Sequence, residues 1–103
     1  MSLGYLIYKW ADEHMEVQHT QPYHMWEKTW CCDDPHILIR LRLFEQNAGT
    51  DIVLMSCAGG YGADESAWTG INLGYVLSIE HLQALYDWIE AQVKWSQVHA
   101  EQS

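Results

Sequence analysis

The stretch from His36 to Ala58 constrains the fold more than any other part of the chain. His36 to Gln46 reads as a strand with two distinct faces. Ile37, Ile39, Leu41 and Leu43 lie on one; His36, Leu38, Arg40, Arg42 and Phe44 lie on the other. Asn47-Ala48-Gly49-Thr50 is turn chemistry, and Asp51 to Ala58 returns as an antiparallel partner. Pairing Gln46 with Asp51 sets Ile52, Leu54, Ser56 and Ala58 beside the aliphatic face. A one-residue slip would carry that whole set to solvent, so the two strands agree on which side is the core.

The flanking segments extend this sheet. Leu3 to Trp10, rich in Leu, Ile, Tyr and Trp, reads as a strand. His14 to His19 alternates polar residues with Met15 and Val17, a half-buried strand pattern. Thr20-Gln21-Pro22-Tyr23 is a turn, and His24 to Trp30 returns with Val17 facing Trp26 and His19 facing His24. Gly59 to Gly70 is a long glycine-rich loop, and Ile71 to Leu77 alternates as the last strand. Ser78 is a good N-cap for a helix from Ile79 to Ser96. The expected fold is α+β: about five antiparallel strands in a curved sheet with one C-terminal α-helix packed on one face. With 103 residues and a folded surface of roughly 6,000 Å², there is room for one core. A single domain over residues 1–97 and a frayed tail over 98–103 follow.

Charge narrows the partners. Five basic residues stand against fourteen acidic ones, a formal charge of −9. Binding that neutralises many phosphates draws on Lys and Arg, so nucleic acid is disfavoured, as is an anionic membrane surface. A basic protein or a neutral ligand is favoured. No run of apolar residues is long enough to cross a membrane. Three cysteines, Cys31, Cys32 and Cys57, form a poor disulfide framework and suggest free thiols in the cytoplasm.

The C-terminal helix carries the strongest binding signal. Leu82, Leu85, Tyr86, Ile89 and Val93 form one stripe, suited to burial on the sheet. Ala84, Trp88, Ala91 and Trp95 form a second, nearly opposite stripe. A helix lying on one sheet needs only one such stripe, and tryptophan is favoured at interface centres. The second stripe is therefore a candidate homodimer or partner interface, unless the Trp-rich N-terminal half wraps over it. The outer sheet face, with Leu38, Phe44, Val53 and Met55, is a second candidate interface. Arg40 and Arg42 lie within it as contacts for an anion or carboxylate, most simply the chain's own Asp and Glu.

Nothing in the spacing calls for a cofactor or a metal. Cys-x-x-Cys and His-Glu-x-x-His are absent, although His19 and His24 would be cross-strand neighbours. Cys57 precedes Ala58-Gly59-Gly60-Tyr61-Gly62 and is expected to be a small buried thiol rather than a nucleophile. Asp64-Glu65 reads as solvated loop charge. The run Gly70-Ile71-Asn72-Leu73 ahead of Ser78-Ile79-Glu80 and a helix is similar to the single-stranded-DNA-binding coactivator fold, four strands plus a helix. That family binds through a basic sheet face, which this acidic chain largely lacks; Arg40, Arg42 and the aromatics leave single-stranded nucleic acid binding as a less favoured reading. The expected function is a small acidic protein-interaction module without catalysis. It would be homodimeric, or an inhibitor, immunity or regulatory protein for a basic partner. The alternative is a small-molecule binding domain with a pocket between sheet and glycine-rich loop.

Overall fold

A computed structural model describes residues 2–33, 36–58 and 67–102. They form two helices and five strands: α1 (Leu3–His14), β1 (Glu16–His19), β2 (Met25–Asp33), β3 (His36–Gln46), β4 (Gly49–Cys57), β5 (Trp68–Tyr75) and α2 (Ile79–Gln102). The strands lie in chain order in one antiparallel sheet, β1-β2-β3-β4-β5. Both helices cover the same face.

The N-terminal segment is a helix, not a strand. Ser2 caps it, its Oγ accepting from the Tyr5 N–H at 3.2 Å. Ile7, Trp10 and Ala11 are buried, with His14 half-buried, an i, i+3, i+4, i+7 spacing that belongs to one helical face. A short apolar run reads equally as strand or helix when only its composition is weighed; here the cap and the four-residue spacing decide. The helix also absorbs His14, so β1 begins at Glu16. All four β1 residues are exposed, and only Met15 before it is buried. The half-buried pattern expected over His14–His19 is therefore not realised, because the strand is short and lies at the sheet edge.

Two registers differ from expectation in informative ways. Gln46 pairs with Gly49 and Leu43 with Ile52, two residues tighter than a Gln46–Asp51 pairing. The turn shrinks to Asn47-Ala48, the loop length that hairpins favour. Since side chains alternate with period two, the shift leaves the faces intact. Leu41, Leu43 and Ile52 are buried as the core of the sheet. In the first hairpin Val17 does face Trp26, but a bulge follows and His19 meets Met25 instead of His24.

The last strand lies earlier than its sequence suggests, over Trp68–Tyr75, so that Thr69 and Gly70 belong to strand rather than loop. A second bulge separates the pairs Ile52–Gly74 and Val53–Asn72. Gly74 supplies the positive φ of 94° there, and its N–H donates to Asn72 Oδ1 at 2.7 Å. α2 presents Leu82, Tyr86, Ile89 and Val93 to the core, with Leu85 partly buried, as its first stripe requires. It continues to Gln102, past the expected end at Ser96.

An aromatic seam joins the helices to the sheet. Trp10 meets Tyr86 edge-on at 5.5 Å, and its Nε1–H donates to Gln83 at 2.7 Å. Trp30 also meets Tyr86, at 5.4 Å. Burial, and then the nearby carboxylate of Glu90, push the Tyr86 hydroxyl from its usual 10.0 up to about 12.

Two predictions follow from this packing. Ultraviolet absorbance should show Tyr86 ionising near pH 12. Because the folded protein holds this proton more tightly than the unfolded chain, the stability it contributes is complete below pH 10 and is lost as pH rises toward 12. Ionisation of Tyr86 with the exposed tyrosines would contradict the packing. Gly74→Ala meets no neighbouring atom but must hold a left-handed backbone, so urea unfolding should register a loss of about 1–2 kcal/mol.

Candidate functional site

The helices are unevenly placed over the sheet. α2 lies chiefly over β2, with α1 beside it against β1 and β2. The β4–β5 half of that face is left with a cleft of about 300 Å³ between strands and helix. Leu54 and Ile71, a cross-strand pair, form its floor, and Trp88, Ile89 and Gln92 of α2 form its wall. Ser56 and Thr69 add hydroxyls. Among the described residues, no charged side chain lines it.

The second stripe of α2 flanks this cleft. Ala84, Trp88, Ala91 and Trp95 are all exposed, Trp88 at 57% and Trp95 at 61%. α1 does not wrap over them, because its Trp10 anchors to Gln83 and Tyr86 on another side of α2. Across the cleft Ile71 is 59% exposed. Trp88 and Ile71, one from the helix and one from the sheet edge, therefore frame one apolar opening. Trp88 was legible as a candidate; Ile71 was not, since its alternation with Leu73 and Tyr75 reads as core when the helix position is unknown.

The outer sheet face is arranged differently. Leu38, at 2% exposure between Cys31 and Cys57, offers nothing to a partner. Phe44, Val53 and Met55 are half-buried, and Phe44 sits beside Pro22 and Tyr23 of the first hairpin turn. Arg42 donates through Nε to Glu27 Oε1 at 2.8 Å. Arg40 lies 3.6 Å from the same carboxylate, donates to Thr29 Oγ1 at 3.1 Å and stacks over Trp68 at 4.1 Å. One carboxylate thus serves two guanidiniums, and both arginines are engaged within the chain. The outer face is a braced surface first.

Among the described residues, no group of three His, Cys, Asp or Glu is placed to hold a metal ion. Cys57 is buried at 2% exposure. The candidates Gly59 to Gly62, Asp64 and Glu65 lie outside the described residues. Among the described residues no helix is long and apolar enough to cross a membrane. No family model, curated protein or solved structure matches the chain, and the likeness to the single-stranded-DNA-binding coactivator fold gains no support from them.

The outer face gives a direct prediction. Glu27→Gln leaves two half-buried guanidiniums without their shared carboxylate, so denaturant unfolding should show a loss of about 2–4 kcal/mol. A loss below about 0.5 kcal/mol would mean that the pair behaves as a solvated surface bridge.

Proposed function

We propose that this protein is a non-enzymatic interaction module that self-associates through the face framed by Trp88 and Ile71. One observation carries the reading: large apolar side chains remain more than half exposed on both sides of an uncharged cleft. Apolar surface of that kind marks sites of association rather than ordinary solvent exposure. The −9 charge sets the character of any further partner. A basic protein, met by an inhibitor, immunity or regulatory protein, is the natural class. Three cysteines, a poor disulfide framework, fit a cytoplasmic setting.

A second reading has its own support. The cleft volume reaches the lower range of small-ligand pockets, and a few hydroxyl and amide groups interrupt its apolar lining. A neutral, flat apolar molecule is the ligand class that fits. This pocket lies between sheet and helix, and residues 59–66 of the glycine-rich loop lie outside the described residues.

Light scattering from about 1 μM to 1 mM protein, at low and at high salt, tests the reading. Self-association through an apolar face should double the mass and strengthen with salt, because salt screens repulsion between two acidic copies. Binding of a basic partner weakens with salt. Trp88→Ala with Trp95→Ala should abolish association and leave the circular dichroism of the fold unchanged. A double variant that retains full association would overturn the assignment to this face.

A further inference from the structure

Among the described residues, the open side of β5 is the less protected of the two sheet edges. Edge strands ordinarily carry charges, prolines or very short lengths, because a bare row of N–H and C=O groups recruits another strand. β1, the opposite edge, is four residues long and carries Glu16. β5 is eight residues long, Trp68-Thr69-Gly70-Ile71-Asn72-Leu73-Gly74-Tyr75, with no charge and no proline. The bulge at Gly74 disturbs only its far end, so Trp68 to Asn72 forms a regular run. No described residue pairs with its outer side.

We propose that β5 pairs antiparallel with β5 of a second copy, joining the two sheets into one of ten strands with both cleft openings at the seam. The proposal rests on the reading that this chain self-associates, and it names the surface and the geometry.

Three features select a second copy as the occupant. The first is charge. Two molecules of −9 repel wherever acidic surface meets acidic surface, but β5 is neutral and β4 behind it contributes only Asp51. The second is symmetry. Residues directly opposite each other in a sheet share a face. A two-fold axis through the regular run therefore sets Ile71 against its own copy, or against Thr69 of the second copy, with the two α2 helices on one side. Apolar or hydroxyl groups meet in either case. The third is area. The exposed portions of Ile71, Leu73 and Trp88 contribute roughly 350 Å² per copy toward the ~800 Å² per partner of a stable interface, and the β5 edge backbone adds to it.

The experiment is amide hydrogen exchange of the intact chain at low and high concentration, with solution mass measured alongside. The expected result is a dimer in which the amides among residues 69–72 that point away from β4 exchange about ten-fold or more slowly at high concentration, while those of β1 do not change. Ile71→Lys, at an exposed position, should halve the mass by placing a charge on the seam. Val17→Lys, at an exposed position on the opposite edge, should leave the dimer intact. Thr69→Lys replaces Ile71→Lys if circular dichroism shows the latter unfolded. A dimer whose β5 amides are unprotected, and which survives the lysine, overturns the strand pairing but leaves the interaction-module reading standing. A monomer at every concentration overturns both the pairing and self-association.

Discussion

Trp26 is the point on which the arrangement of this molecule turns. It is 1% exposed and sits where α1, β1, β2 and β3 converge. Its indole N–H donates to Asp12 of α1 at 3.0 Å, its ring meets Tyr8 edge-on at 5.7 Å, and it stacks on His24 at 5.4 Å. Val17 and Leu43 flank it in the sheet. An aromatic of this size with a satisfied polar handle contributes both area and orientation. Once Trp26 holds α1 over the first strands, Trp10 and Tyr86 fix α2 beside it. Two helices then share a sheet five strands wide at roughly 4.8 Å per strand, while each helix is about 10 Å across. They cover the β1–β3 side and Ile52 of β4, and a cleft is left over Leu54, Ser56 and β5. The candidate site is thus a consequence of helix placement, not a separate construction.

The parts of the fold that the sequence made legible are those where one periodicity dominates. β3 and β4 alternate cleanly over a long run, so their shared core face survived even a two-residue error in register. The first stripe of α2 was equally plain. The N-terminus was not, because the exposed apolar residues Leu3, Tyr5 and Tyr8 mask the helical spacing of Ile7, Trp10 and Ala11. Its helix depends on the Ser2 cap and on contacts with Trp26 and Tyr86 that lie far away in sequence.

The same contrast governs the candidate site. Trp88 and Trp95 were visible as a surplus stripe on a helix that needed one. Ile71 was hidden, because an alternating strand looks the same whether its apolar face meets a helix or solvent. Only the position of α2 over β2 separates those cases. Arg40 and Arg42 showed the reverse. They read as contacts for a carboxylate, most simply one of the chain's own, but Glu27, which holds both, could be placed opposite them only once the β2–β3 register was known.

Charge gives the distribution its logic. A chain of −9 that exposed its apolar residues evenly would pair them everywhere with acidic neighbours. Here the cleft lining and β5 are neutral together, on adjacent elements, while acidic residues such as Glu80 and Asp87 occupy exposed positions elsewhere on α2. Long-range repulsion between copies falls off within about 8 Å at physiological ionic strength. A neutral strip of strand edge and helix flank can therefore come into contact while the acidic remainder stays solvated. An approach through the acidic positions of α2 would instead bring like charges together.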